Sequence, residues 1–127
     1  VGVSDKNGMP STGSNFGVKE LDLFAPGTEI YSTCTGDTYQ MGNGMAMSAA
    51  TVAGVAALVK TYYPDLTASQ IRDILNRTVS SRKGIEVEKN VQKNKIIMDL
   101  YLFDQLCLSG GIVNALEAVK AADELSK

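Results

Sequence analysis

Apolar and polar residues alternate in short runs over the first third of the chain. Residues 1–3 predict a strand stub, and Leu21 and Leu23 alternate with polar neighbours before Pro26-Gly27, which predicts a turn. A second alternating run surrounds Ile30. Because a period of two is typical of half-buried strands, we expect short strands joined by turns in this region.

The period changes in the second third. Residues from about Ala46 to Tyr62 are helical in composition, apolar on every side, and end before Pro64, which disfavours helix in the residue ahead of it. A helix that is apolar all round is normally central in its domain. We therefore predict a buried helix, in which Gly54 allows close approach of another backbone.

A second helix is predicted from a capping pattern. Thr67 with Gln70 three residues later forms a capping box, and the side chains of Ile71, Ile74 and Leu75 make one apolar stripe. The pattern predicts a helix that lies on the surface of the domain.

The last third is less regular. Residues 80–105 show no clear period, and we predict an excursion loop followed by a strand or a short helix. An amphipathic helix then ends the sequence. Its predicted inner face holds Ala115, Ala118, Val119 and Ala122, and its outer face holds Glu117, Lys120 and Asp123.

Composition narrows the class of protein. The chain has 127 residues, 44% of them hydrophobic and 20% charged, which is typical of one globular domain. With a net charge of −2, the chain has no excess of positive charge that would attract nucleic acid or an anionic membrane. The longest apolar run, Val52 to Val59, is too short for a membrane span, and no signal-peptide pattern is present. The sequence begins at Val1 without Met, as we expect of a processed or excised piece.

Cysteine and histidine limit the possible chemistry. Cys34 and Cys107 could form a disulfide, or both could be small buried residues, and neither has C-x-x-C spacing. The sequence contains no His, so it cannot form a Ser–His–Asp or Cys–His arrangement from its own residues. A transition-metal site is not expected.

Three stretches resemble, in order and spacing, the C-terminal portion of subtilisin-like serine proteases. They are "SNFG…ELDLFAPGTEIYST" (14–33), "NGMAMSAATVAGVAALVKTYYPDLTASQIRDIL" (43–75) and "SGGIVNALEAV" (109–119). The resemblance implies an α/β fold in which residues 1–127 are the C-terminal part of a doubly wound parallel-sheet peptidase domain. Residues 80–105 would be a variable insertion.

The second stretch is similar to the family's nucleophile motif S-G-T-S-M-A-A-P-x-V-A-G. Aligned from residues 52–54, Gly44 matches the family's Gly, Met47 its Met, and Met45 stands at its Thr. Ala46 occupies the position of the nucleophilic Ser. The resemblance thus implies a catalytic position that is substituted, with Gly44, Met45 and Met47 as its oxyanion and substrate-binding neighbourhood.

No other hydroxyl is expected to replace the missing one. Ser48 is two residues along the helix, about 200° of rotation from Ala46, and we predict a buried Ser bonded to a carbonyl one turn back. Ser14, Ser32 and Ser109 are interpreted as turn residues in loops or at strand ends.

The family's remaining machinery is expected outside this sequence. In subtilisin-like proteases the triad Asp and His and the oxyanion Asn precede the region that is matched here. Asp5, Asp22 and Asp37 lie in the wrong segments to replace them, and we interpret each as a solvated or turn carboxylate. The chain has no loop dense in carboxylates, so we expect no metal site or cofactor in it. The family resemblance implies that the full-length protein could bind calcium.

Two hypotheses follow. In the first, the chain is the C-terminal portion of a serine endopeptidase that acts through an acyl-enzyme, inactive alone because Ala46 replaces the nucleophile. Its partners would be the N-terminal part of the same domain and a peptide or protein substrate. In the second, it belongs to a pseudoprotease that binds peptides or proteins without cleaving them, because the Thr and Pro positions, Met45 and Ala50, differ as well. The family resemblance suggests a secreted or cell-envelope location.

Overall fold

A computed structural model of the protein describes residues 1–90 and 98–127. Within these residues, short strands and three α-helices follow one another. The strands are β1 (Gly2–Ser4), β2 (Phe24–Pro26), β3 (Ile30–Cys34), β4 (Thr38–Gly42), β5 (Ser80–Ser81), β6 (Glu86–Asn90), β7 (Met98–Leu102) and β8 (Gly111–Ile112). The helices are α1 (Met45–Tyr62), α2 (Ala68–Arg77) and α3 (Ala115–Leu125), and a 3-10 turn covers Phe103–Gln105.

The central sheet has the strand order β1-β2-β8-β5. Strand β2 pairs in parallel with both β1 and β8, and β5 joins antiparallel to β8. The α/β fold that the sequence predicts is thus confirmed. The alternation at Leu21 and Leu23 precedes β2 rather than forming it, although both side chains are buried.

Strands β3 and β4 form a separate antiparallel hairpin. The sequence predicts β3 but not β4, in which Tyr39 and Met41 alternate with polar residues but are exposed. Asp37 has a positive φ of 58° in the hairpin turn, and Tyr31 stacks on Tyr39 with 5.5 Å between ring centroids. This aromatic contact across the strands stabilises a hairpin that lacks buried side chains.

One layer of the core lies between the helices and the sheet. Leu23 and Val59 pack with the apolar stripe of α2, where Ile74 is fully buried, and with Ala118 and Ala122 of α3. The predicted capping box of α2 is present. In α3 the predicted inner residues Ala118 and Ala122 are buried and Ala115 and Val119 are half-buried, whereas the predicted outer residues Glu117, Lys120 and Asp123 are exposed.

A second layer lies on the other side of β2, because successive side chains of a strand point to opposite faces. Phe24 packs there with Val87, Phe103 and Leu106, and the rings of Phe24 and Phe103 meet edge to face at 5.1 Å. The prediction of an excursion loop for residues 80–105 is therefore wrong at β6, although β7 and the 3-10 turn match the predicted strand or short helix. Residues 91–97 lie outside the described part of the chain.

Helix α1 is more exposed than its composition predicts. Only Ser48 and Val59 are buried, and an added Cβ at Gly54 would meet no described atom within 4 Å. The predictions of burial on every side and of a close backbone at Gly54 are thus wrong for the described chain, because no described element covers that side. The expectation from the run Val52 to Val59 does not extend to the whole helix, whose 18 residues are long and apolar enough to cross a membrane by length and composition. One side of the helix nevertheless packs on β1, β2, α2 and α3.

The two cysteines are free. Cys34 is exposed on β3, whereas Cys107 is buried beside the second layer. Neither alternative from the sequence holds, since the residues neither pair nor share a buried environment.

Candidate functional site

The first turn of α1 is preceded by a glycine in a special conformation. Gly44 is the N-cap residue, with φ of 136° and ψ of 171°, a region that L side chains rarely adopt. Its carbonyl accepts hydrogen bonds from the N–H groups of Met47 (3.1 Å) and Ser48 (3.3 Å). Glycine at this position therefore sets the angle at which the chain enters the helix.

Backbone contacts fix this turn to the loop after β2. The Gly44 N–H donates to the carbonyl of Gly27 at 2.8 Å, and the Gly27 N–H donates to that of Ser4 at 3.0 Å. The side chain of Asn43 accepts the N–H of Glu29 at 2.7 Å, and Glu29 has a positive φ of 53°. The entrance of α1 is thus held at the carboxyl ends of β1 and β2.

Gly27 has no space for a side chain. An added Cβ would lie 2.1 Å from Ser48 Oγ and 2.8 Å from the carbonyl oxygen of Gly44. Because real Cβ atoms do not approach so closely, the loop and α1 can be this near each other only with glycine.

The residues matched to the family's nucleophile region surround an exposed position. The side chains of Met45 and Ala46 are exposed, and that of Met47 is half-buried and reaches toward Gly42. Among the described residues, the N–H groups of Met45 and Ala46 have no hydrogen-bond acceptor, as expected at a helix start. The turn thus presents unpaired donors beside a methyl group.

Ser48 does not take the place of the missing hydroxyl. It is fully buried, as predicted, but its Oγ donates to the carbonyl of Ala25 in β2 at 2.9 Å rather than to a carbonyl one turn back. The physical reason is the close approach at Gly27, which brings the sheet within reach. Thr51, one turn later, does bond to the carbonyl of Met47 at 3.1 Å.

The other candidate hydroxyls lie elsewhere. Ser14 is buried, accepts the N–H of Val3 at 2.9 Å and donates to the carbonyl of Asn15. Ser32 is exposed on β3, and Ser109 lies 3.8 Å from the thiol of Cys107. None of them is brought to the first turn of α1.

Of the aspartates interpreted as solvated or turn carboxylates, Asp5 and Asp37 lie in turns, whereas Asp22 forms an ion pair. Asp5 Oδ1 accepts the N–H groups of Asn7 and Met9 in a turn. Asp22 pairs with Arg72 at 2.6 Å, and the hydrogen bond and charge of that guanidinium hold the pKa of Asp22 below its usual value. No group of three or more Cys, Asp or Glu residues that could hold a metal ion occurs within the described ranges.

The geometry of this first turn can stabilise negative charge. Free N–H donors and the positive end of an 18-residue helix favour an oxyanion in front of Ala46. Nucleophilic attack needs an activated oxygen or sulfur, and a methyl group supplies neither. With no His in the sequence, the usual neutral-pH base is missing too.

Sequence reasoning missed the residues that position this turn. The sequence predicts a turn at Pro26-Gly27, but it does not reveal that Gly27, Glu29 and Asn43 hold the entrance of α1. The Asn43-Gly44 and Pro26-Gly27 pairs are turn signals that could have drawn attention to it. The hydrogen bond between Gly44 and Gly27 joins residues that are far apart in sequence, so only the folded structure reveals it.

Comparison with known proteins assigns the family. The profile of the subtilase family, peptidase S8, matches residues 1–97. The chain therefore belongs to the subtilase family, and the resemblance found in the sequence is confirmed.

Curated relatives and solved structures agree. The chain is 42% identical over 80 residues to the thermostable alkaline protease of Halalkalibacterium halodurans, covering 63% of this chain and 22% of that protein. A cold-adapted subtilisin-like serine proteinase aligns with a TM-score of 0.60 and 36% identity, over 63% of this chain and 29% of that one. The A subunit of the AB5 toxin from E. coli aligns with a TM-score of 0.69 at 21% identity, over 95% of this chain and 36% of that one, which supports the fold alone.

The chain spans less than a third of the length of these curated relatives. The homology therefore supports a protease-like function at the level of the family.

Proposed function

We propose that this chain is the C-terminal portion of a subtilisin-like serine endopeptidase domain, with its nucleophile position occupied by Ala46. The observation that carries the proposal is the first turn of α1, where an exposed Ala46 follows a positive-φ Gly44 and keeps an unpaired N–H. On this proposal the chain alone does not hydrolyse peptides.

The proposed chemistry of the site is peptide-bond hydrolysis through an acyl-enzyme. A Ser at position 46 would attack the carbonyl of a peptide or protein substrate, and the N–H of residue 46 would donate to the resulting oxyanion. The helix dipole would add about 0.3–1 kcal/mol of stabilisation. With Ala, only binding and oxyanion stabilisation remain, which leaves about 10³–10⁴-fold acceleration over water in a complete site.

The proposed partner is the N-terminal part of the same peptidase domain. Small residues dominate the side of α1 that no described element covers: Ala46, Ala49, Ala50, Ala53, Gly54 and Ala57. Such a face permits close approach of another layer. The N-terminal part would supply the triad Asp and His and the oxyanion Asn. Native mass spectrometry of the protein isolated from its natural source would contradict this arrangement if the intact species were a 13.5 kDa monomer.

The catalytic proposal is tested by Ala46→Ser in the full-length protein, with hydrolysis of a fluorogenic peptide as the readout. We expect activity to rise by at least about 10³-fold, since the nucleophile is the missing group. Ala49→Ser is the matched control, because it adds a hydroxyl to the same exposed side of α1 without reaching the motif position. Equal activity in both variants would contradict the proposal.

The second candidate function is a pseudoprotease that binds peptides or proteins. It is favoured by the additional differences from the family motif at Met45 and Ala50. On this hypothesis Ala46→Ser stays inactive while the full-length protein still binds peptides in isothermal titration calorimetry. Recovery of hydrolysis would exclude it.

We also propose a secreted or cell-envelope location, which the likeness to a bacterial alkaline protease supports. Calcium binding in the full-length protein remains a proposal from the family resemblance, and calorimetric titration with Ca²⁺ tests it.

A further inference from the structure

A buried ammonium lies beneath the loop that follows β1. Lys89 of β6 is 0% exposed, and its Nζ donates to the carbonyls of Ser11 at 2.6 Å and Ser14 at 2.9 Å. The carbonyl of Thr12 lies at 3.4 Å, and the ring centroid of Phe16 is 5.4 Å away. An ammonium has three donors, and this site offers three carbonyl oxygens and an aromatic face.

No carboxylate within the described residues pairs with Lys89. Asp99 is its direct neighbour across the β6–β7 hairpin, but it is exposed and forms no ion pair with it. Burial lowers the pKa of Lys89 to about 8, so the side chain is mostly charged at neutral pH. A buried charge is tolerated only where other groups replace its hydration.

We propose that the carbonyls of Ser11, Thr12 and Ser14 form a binding site for a monovalent cation of ammonium or potassium size, which Lys89 fills within the same chain. Converging carbonyl oxygens replace the hydration shell of such ions, and the face of Phe16 attracts a cation at this distance. The proposal is independent of catalysis at Ala46.

The occupied site joins two parts of the fold. Ser14 accepts the N–H of Val3 in β1 at 2.9 Å, and Ser11 donates its N–H to the Val3 carbonyl at 2.8 Å. Lys89 therefore links the β6–β7 hairpin to the loop that borders β1. Without a cation, these carbonyls would lose their shared donor.

The test is chemical rescue of Lys89→Ala in the full-length protein. Thermal unfolding is measured in potassium chloride, methylammonium chloride and, as a salt of a cation too large for the site, tetramethylammonium chloride at equal ionic strength. We expect potassium or methylammonium to raise the Tm of the variant by about 2–4 °C, saturably. The wild type should respond equally to all three salts because its site is filled. Equal responses of the variant to all three would overturn the proposal.

Lys60 provides the matched control. Its Nζ also donates to two carbonyls, of Pro64 at 2.6 Å and Leu66 at 2.7 Å, but the side chain is exposed. Lys60→Ala should therefore show no preference among the salts.

A second variant covers the case in which Lys89→Ala does not fold. Lys89→Met keeps an apolar stem of similar length and removes only the charge and donors. We expect its Tm to lie below that of the wild type at neutral pH, with no potassium effect because the side chain fills the site. A Lys89→Met protein as stable as the wild type would overturn the proposal.

Discussion

Helix α1 and the described residues of the segment 80–105 differ in how far the rest of the described chain buries their side chains. In α1, an 18-residue helix of mainly small apolar side chains, only Ser48 and Val59 are buried. In the charged segment 80–105, Val87, Lys89 and Phe103 are 5% exposed or less. Burial therefore depends on which surfaces are available to cover a residue, and not on the composition of the segment alone. The uncovered side of α1 is the surface that we assign to the N-terminal part of the domain.

The largest expected effect compares Phe103 with Leu58. Phe103 is fully buried against Phe24, so Phe103→Ala should destabilise the protein by about 3–5 kcal/mol. Leu58 on α1 is 41% exposed, and Leu58→Ala in the 127-residue chain should change the free energy of unfolding by less than about 0.5 kcal/mol. Urea denaturation measures both. A larger loss at Leu58 would show that the outer side of α1 is covered within this chain.

Gly27 and Gly54 test the same difference between the covered and the uncovered side of α1. Gly27→Ala places a Cβ against Ser48 and the Gly44 carbonyl, so we expect a loss of about 1–3 kcal/mol. Gly54→Ala meets no described atom and should stabilise α1 by about 1 kcal/mol in the 127-residue chain.

The effect of Gly54→Ala on the stability of the full-length protein shows whether another layer packs on this side of α1. If another layer packs on this side of α1, Gly54→Ala should lose its stabilising effect there or become destabilising, as measured by thermal unfolding. The same gain in both forms would contradict close packing at Gly54.

The sequence predicted the elements that carry strong local signals. The capping box at Thr67 and Gln70 and the buried face of α3 at Ala118 and Ala122 are confirmed. Both could be predicted because each signal lies within a few neighbouring residues. Strand β4 was missed because the alternation of Tyr39 and Met41 is short and lies between turn signals at Gly36 and Gly42. Its pairing with β3 depends on cross-strand contacts that single-segment patterns do not contain.

The sequence places a candidate site on the first turn of α1 but does not reveal the contacts that hold this turn. The family motif located Ala46 and Gly44, whose roles remain predictions. The bond from Ser48 to Ala25 and the contact between Gly27 and Gly44 join residues 17–23 positions apart. Such contacts follow from the packing of α1 on β2, which no local pattern reveals.

A third prediction concerns the polar contact on the inner side of α1. Ser48→Ala removes the donor to the buried Ala25 carbonyl and should cost about 1–2 kcal/mol. Ala49→Ser adds a hydroxyl on the exposed side and should change stability by no more than about 0.5 kcal/mol. Equal effects in urea denaturation would mean that the two sides of α1 do not differ in the way the structure describes.

The smallest expected effect comes from the surface ion pair between Arg72 of α2 and Asp22. The side chains of Arg72 and Asp22 are 64% and 41% exposed, so Arg72→Gln should cost only about 0.2–1 kcal/mol at pH 7. Because Arg72 lowers the pKa of Asp22 below 3.8, this stabilisation is present above about pH 4 and is lost as the pH falls through the lowered pKa.

The measurement is the difference in unfolding free energy between the wild type and Arg72→Gln from pH 7 down to pH 2. Arg77→Gln is the control, since Arg77 donates to the carbonyl of Asp73 within its own helix and forms no ion pair with a carboxylate among the described residues. We expect the Arg72 difference to shrink on acidification and the Arg77 difference to stay level. A difference at Arg72 that is independent of pH would show that its contribution comes from packing of the side-chain stem rather than from the charge of Asp22.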